Sequence, residues 1–196
     1  MLDSTRYWLT VALLSTLPAA VLFWYLIHPF ARVWRRLGRT TTYVVVGMIC
    51  LTVVALLFRV RDQLLGTDLG FHLGLTAVGL LLYLIAAYLE VECRKHLKFN
   101  ILAGAPELAE EDPGQLLEDG IYGRIRHPRY VSILFGMAGI ALFLNYSSMY
   151  WMVVALLPAV FVLILLEERE LRQRFGQAYV DYSKRVPRFV PRWGRS

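Results

Sequence analysis

Four stretches of this chain carry no Asp, Glu, Lys or Arg: residues 7–31, 40–58, 69–89 and 130–166. A helix crossing the hydrocarbon core of a bilayer needs roughly 20 apolar residues. Each of the first three stretches supplies one crossing. The fourth is nearly twice as long, with Asn145-Tyr146-Ser147-Ser148 near its middle as a turn. The pattern predicts five transmembrane helices in an all-α integral membrane bundle, followed by a cytoplasmic helical tail. Composition agrees, since 57% of residues are hydrophobic where a soluble domain holds about 45–50%.

No Pro- or Ser-rich linker, low-complexity tract or internal repeat divides the chain, so residues 1–196 read as a single membrane domain. Residues 1–113 hold three spans and a connecting loop. Residues 114–196 hold a polar motif, a helical hairpin and the tail. The first stretch is too long for a signal peptide, has only Arg6 before it, and lacks a clear small-residue cleavage site. It reads as a retained span, kinked at Pro18.

Positive charge orients the bundle. With the N-terminus outside, the inner segments 32–39, 90–129 and 167–196 hold eighteen Lys and Arg, and the outer ones hold only Arg6, Arg59 and Arg61. This satisfies the positive-inside rule and predicts a cytoplasmic C-terminus. The net charge of +6 then needs no nucleic acid. Retention of loops on the cytoplasmic side and attraction to anionic membrane lipid account for it.

They do not account for "GIYGRIRHPRY", residues 120–130, where Arg124, Arg126, His127 and Arg129 crowd around Pro128. Proline suits the first turn of a helix, because it needs no N–H donor there and its φ is preset. A helix start exposes backbone N–H groups and favours a carboxylate or phosphate. With Ser147 as the hairpin tip, His127 and Glu167 are equally far from it, about 30 Å along each helix. His127, Tyr130, Glu167 and Glu168 therefore meet at one level. The sequence does not say which carboxylate points inward. Both also fit an ordinary helix end, paired with Arg169 or Arg172. Ser132, Gly136 and Gly139 allow close packing on a neighbouring helix.

Beyond Glu168, "EERELRQRFGQAYVDYSKRVPRFVPRW" predicts a helix to about Phe175, a stop at Gly176, a short helix through Tyr179 and Tyr182, and an extended tail. The segment fits an interfacial amphipathic piece or a lid over the bundle, and the two are compatible.

Together, Gly-x-Tyr, Arg-His-Pro-x-Tyr, an apolar hairpin, Glu-Glu and Phe-Gly-x-x-Tyr-x-x-Tyr-x-x-Arg-Val-Pro resemble the isoprenylcysteine carboxyl methyltransferase family and the related phospholipid methyltransferases. The resemblance covers about residues 114–191. It implies an integral membrane enzyme that uses S-adenosylmethionine without a Rossmann fold. Carried over residue by residue, it places Leu116, Leu117, Tyr122, His127, Pro128, Arg129, Tyr130 and Glu167 around the cofactor, with Gln115 in a neighbouring position. It implies that the helix start takes the methionine carboxylate and Glu167 the ribose hydroxyls or amino group. His127 is then a cofactor contact first and a base candidate second.

The acceptor side departs from that pattern. Animal carboxyl methyltransferases carry an Arg four residues before this Glu, where the present chain has Leu163. Leucine cannot pair with a carboxylate, so a prenylcysteine acid fits poorly, and an amine, thiol or phenol on a lipophilic acceptor fits better. Arg94, Arg169 and Arg172 are the candidates to replace the missing contact. Ser132 stands where the family usually has Gly, and the loop between span three and the motif also differs.

The remaining polar residues add little. His28 and His72 lie at opposite ends of their spans and read as interfacial or core residues. His96 shares a compartment with the motif. None has metal-ligand spacing. Cys50 and Cys93 read as packing residues. The expectation is a five-span methyltransferase acting on a lipophilic acceptor at the cytoplasmic face. The alternatives are a non-catalytic small transporter or lipid-binding protein, and a nicotinamide-dependent lipid reductase with a related C-terminal fold.

Overall fold

The computed structural model describes residues 1–95 and 116–191, and helices dominate throughout. In chain order they are α1 (Leu2–Ile27), α2 (Ala31–Leu37), α3 (Arg39–Arg59), α4 (Arg61–Leu64) and α5 (Leu73–Arg94). A 3-10 turn at Gly120–Gly123 precedes α6 (Pro128–Leu144), α7 (Ser147–Phe175) and α8 (Gln177–Arg185). One isolated bridge joins Asp68 to Tyr146. Gln115 and His96 lie outside the described residues.

Local chemistry sets the boundaries. Pro128 opens α6 at its first turn, as a residue with no N–H to satisfy should. Asn145 closes α6 in the left-handed conformation, φ 53°, which Asn tolerates through local hydrogen bonds. Its amide donates to Gly70 O at 2.7 Å, and its Oδ1 accepts from Tyr150 Oη at 2.6 Å. The hairpin turn is therefore only Asn145-Tyr146, shorter than the expected 145–148. The serines belong to α7 and tie it to the α4–α5 connection: Ser147 Oγ accepts from Thr67 N at 2.8 Å, and Ser148 Oγ donates to Leu65 O at 2.6 Å. Gly176, at φ 54°, separates α7 from α8. Pro18 stays inside α1 and Pro158 inside α7.

Among the described residues, four helices, α1, α3, α5 and α7, are long and apolar enough to cross a membrane. The helix expected as the fifth span, α6, is apolar but shorter than that criterion asks. The turn at Asn145 leaves α6 only 17 residues, a rise of about 26 Å, against a hydrocarbon core of about 30 Å. Large apolar side chains cover the outer faces of α3 and α5, with Leu51, Leu81 and Leu84 all exposed.

Helix packing positions everything else. A Cβ on Gly79 of α5 would lie 2.5 Å from Gly139 O of α6, and one on Gly139 would lie 2.5 Å from Gly79 O. Only paired glycines let the backbones approach this closely. Ser132 Oγ donates to Ala86 O at 2.8 Å in the same interface. On its other side α6 joins α1 and α7 in a core of Leu14, Met137, Ala141, Leu144, Met149, Leu156, Val160 and Ile164.

Arg6 secures the far end of this core. Its side chain is fully buried. It donates to Leu144 O from Nε at 2.9 Å and from Nη2 at 2.7 Å, and pairs with Asp68. A cation on the last carbonyls of α6 also meets the negative end of that helix's dipole. Arg6 thus ties α1, the α4–α5 connection and the hairpin tip together.

Candidate functional site

The helix start at Pro128 is held by the chain's own tail. The backbone N–H groups of Arg126 and His127 donate to Pro187 O at 2.9 Å and Arg188 O at 3.1 Å. Glu168, 2% exposed, is the charge at the centre of this joint. Arg188 donates to it from Nε at 2.9 Å and from Nη2 at 2.7 Å. Arg126 Nη1 lies 2.9 Å and His127 Nε2 3.2 Å from Glu168 Oε1. The hydrogen bonds from Arg188 hold its guanidinium above its usual pKa, against an opposing effect of burial.

Glu167 looks another way, because successive helical residues point about 100° apart. It lines a cavity of about 360 Å³ between α1, the 3-10 turn, the start of α6, α7 and α8. Its Oε2 is buried with no hydrogen-bond partner among the described residues, and His127 Nδ1 lies 3.8 Å away. One stripe of α7 faces this cavity: Leu156, Val160, Leu163, Glu167, Glu170, Leu171 and Arg174. Apart from Leu171, which flanks Glu170, these residues recur every three or four positions, as one helical face must. Apolar side chains from mid-helix line one part of the cavity, Leu17, Ala20 and Val21 of α1 facing Ile133, Leu156 and Val160. Polar residues near the helix ends line the other.

The tail's tyrosines cover the polar part. Tyr179 and Tyr182 of α8 are buried and line the cavity, while Asp181, Lys184 and Arg185 face out. Tyr182 Oη donates to Tyr122 O at 2.7 Å. Burial pushes the Tyr122, Tyr179 and Tyr182 phenols above their usual pKa, so all three stay neutral.

Of the residues named from sequence, Leu116, Leu117, Tyr122, His127, Pro128, Arg129, Tyr130, Glu167 and Leu163 all line this one cavity. Arg94, Arg169 and Arg172 do not. Arg94 is exposed and pairs with Glu90 at 2.9 Å. Arg169 and Arg172 lie on the opposite side of α7, beside a smaller cleft with Glu168 and Arg188. They diverge from the cavity for the same reason Glu168 does. Sequence reasoning missed Trp24, His28, Glu170 and Arg174 in the lining. Glu170 and Arg174 were legible as the continuation of the Leu163–Glu167 face. His28 was not, since nothing local signals its pairing with Glu170, 142 residues away, at 2.9 Å between Nδ1 and Oε2.

Comparison with known proteins follows the same segment. The model of the phospholipid methyltransferase family matches residues 75–178, more than half of the chain. The chain belongs to the phospholipid methyltransferase family. It is also 34% identical, over 86 residues, to protein-S-isoprenylcysteine O-methyltransferase B of Arabidopsis thaliana. That match covers 43% of this chain and 44% of the relative, so the chain spans under half the length of the relative it matches. No solved structure matches. The family segment runs from α5 through α7 into the first residues of α8. It contributes Tyr122, the start of α6 and the Glu167 face of α7 to the cavity. The α1 wall, with Trp24 and His28, and Tyr179 and Tyr182 of α8 come from outside it.

Proposed function

We propose that this member of the phospholipid methyltransferase family transfers the methyl group of S-adenosylmethionine to a lipophilic acceptor at the cytoplasmic end of its helices. One observation carries the reading. A single cavity joins Glu167 Oε2, a carboxylate oxygen with no donor among the described residues, to an apolar channel between α1, α6 and α7. A cofactor rich in donors fits the first part and a hydrocarbon chain the second.

The residues suit that cofactor. Glu167 accepts from ribose hydroxyls or an amino group. The start of α6, with Arg129 beside it, suits a carboxylate. The rings of Tyr122 and Tyr130 offer π faces to a cation. Leu116 and Leu117 supply apolar wall, His127 and Pro128 shape the helix start, and Gln115 adjoins this group in sequence. When bound, S-adenosylmethionine supplies an electrophilic methyl on a sulfonium. The protein's part is to align the acceptor with that methyl and to exclude water beneath Tyr179 and Tyr182. Alignment of this kind is worth up to about 7–11 kcal/mol.

The acceptor enters from the bilayer. Leu163, 3% exposed and on the Glu167 face, brings no cation to the apolar part of the cavity; the lining arginines, Arg126, Arg129 and Arg174, stand toward its polar part, and an unpaired charge in a dry site is costly. An amine, thiol or phenol is therefore preferred over a prenylcysteine acid. In this reading α6 is the fifth span, its short length absorbed by local bilayer thinning and snorkelling of flanking residues. The N-terminus lies outside and the C-terminus in the cytoplasm, in the cell inner membrane if the source is bacterial.

Calorimetric titration of the purified chain with S-adenosylhomocysteine and with a reduced nicotinamide nucleotide tests the cofactor. Binding of the first and not the second is expected. Preference for the nucleotide would point to a lipid reductase, and binding of neither to a transporter or lipid-binding protein. Incubation with labelled S-adenosylmethionine and native lipid extract then identifies the acceptor.

A further inference from the structure

The α7 face that bears Glu167 continues one turn further with Glu170, and both line the same cavity. The two oxygens of Glu170 have different surroundings. Oε2 lies 2.9 Å from His28 Nδ1, the geometry of a ring N–H donating to a carboxylate. Oε1 is buried and has no hydrogen-bond partner among the described residues. An ionised carboxylate only accepts, so a buried oxygen without a donor is destabilising until a ligand brings one. Trp24 stacks on the His28 ring, 5.3 Å between centroids and 22° between planes. The imidazole is thereby held, and through it the carboxylate. Glu170 lies one turn from the oxygen assigned to the cofactor. Its support comes from α1, beside the apolar channel assigned to the acceptor.

We propose that Glu170, positioned by His28, receives the proton of the methyl acceptor, which is therefore a nucleophile that arrives with an N–H, S–H or O–H bond. This rests on the methyl-transfer reading above. In the step, the acceptor's X–H bond breaks and its proton passes to Glu170 Oε1. An X–CH3 bond forms as the S–CH3 bond breaks, and the electron pair of the broken bond stays on sulfur, leaving a neutral thioether. Glu170, with 17% of its side chain exposed, then returns the proton to water. An acceptor that is already an anion, such as a fatty carboxylate, has no use for this group. His28 acts through Glu170 and is a positioning residue.

The experiment uses the full chain in phosphatidylcholine vesicles with labelled S-adenosylmethionine and native lipid extract, and locates the label in the product. Methylation at nitrogen, sulfur or a phenolic oxygen is expected, and a methyl ester of a carboxylic acid overturns the proposal. Glu170→Gln keeps the side chain's size and a hydrogen bond to His28. It should lower kcat on the identified acceptor by about 100-fold or more, with S-adenosylhomocysteine binding retained. His28→Gln should lower kcat more than it raises KM. Undiminished kcat in Glu170→Gln, with binding retained, overturns this proposal alone. Loss of S-adenosylhomocysteine binding in Glu170→Gln also overturns it, by making the residue a cofactor contact. A wild-type protein that neither binds S-adenosylhomocysteine nor yields a labelled product overturns the methyl-transfer reading and this proposal together.

Discussion

Glu167 and Glu168 are adjacent in the chain and face different surroundings, and the difference predicts two distinct mutant phenotypes. Glu167 has a buried oxygen with no hydrogen-bond partner among the described residues, so under the proposed function Glu167→Gln should weaken S-adenosylhomocysteine binding. A hydrogen bond to a charged group is worth about 1.5–3 kcal/mol, or roughly 10- to 150-fold in affinity. Calorimetry on a variant with wild-type helicity checks this, and unchanged affinity would place the cofactor elsewhere. Glu168 instead neutralises Arg126 and Arg188, with its side chain 3% exposed. Removing it strands Arg126, whose side chain is 9% exposed, and frees Arg188; breaking a buried pair such as Arg126–Glu168 costs about 3–5 kcal/mol. Glu168→Ala should therefore lower the unfolding midpoint in detergent and release the tail, seen as faster tryptic cleavage at Lys184 and Arg185. A variant as stable and protease-resistant as the wild type would show that the joint does not hold the tail.

At the scale of elements, the α5–α6 contact is the tightest constraint. A Cβ at Gly139 meets Gly79 O at 2.5 Å, whereas a Cβ at Gly47 of α3 meets nothing within 4 Å. Gly139→Ala should therefore destabilise by about 1–3 kcal/mol through overpacking. Gly47→Ala should be neutral, or stabilising by up to about 1 kcal/mol from helix propensity. Thermal or SDS-titrated unfolding of the two variants side by side tests the contrast, and equal effects would contradict the packing. The Arg6 joint adds a pH dependence. Burial opposes ionisation of Asp68, but the Gly70 N–H and Arg6 outweigh it and hold the carboxyl below its usual range. A carboxyl whose folded pKa is depressed stabilises fully above its unfolded pKa and loses that contribution as pH falls through the folded value. The stability gap between wild type and Asp68→Asn should thus be present at neutral pH and shrink as pH falls below about 4. A gap that stays constant or widens in acid would remove Asp68 from the joint.

For the whole molecule, the asymmetry of Lys and Arg predicts orientation. Single cysteines introduced near each terminus of a chain lacking Cys50 and Cys93 should label from opposite sides, the N-terminus from outside and the C-terminus from the cytoplasm. Labelling of both from one side would require an even number of crossings and would remove α6 from the spans. The α6 helix is where this test bites, because its 17 residues fall short of the usual crossing length, while the polar residues at its start and the turn at its end lie at opposite ends of the bundle.

What the sequence alone determined was periodic or local. Charge-free runs marked the helices because a lipid-facing segment tolerates no ions. Pro128, Gly176 and the tyrosine spacing marked helix starts, stops and faces because each acts within a turn or two of itself. The family motif brought Tyr122, His127, Tyr130, Glu167 and Leu163 to notice together, and they do share one cavity. Tertiary structure decided what depends on rotation about a helix axis and on distant partners. It turned Glu167 toward the cavity and Glu168 toward the tail, sent Arg169 and Arg172 to the opposite side of α7, and shortened the hairpin turn to two residues through the Asn145–Gly70 bond. It also brought His28 to Glu170 and buried Arg6 against Leu144. Both pairs join residues more than a hundred positions apart. Their geometry comes from how α1 packs on the hairpin, and no local pattern of residues encodes that packing.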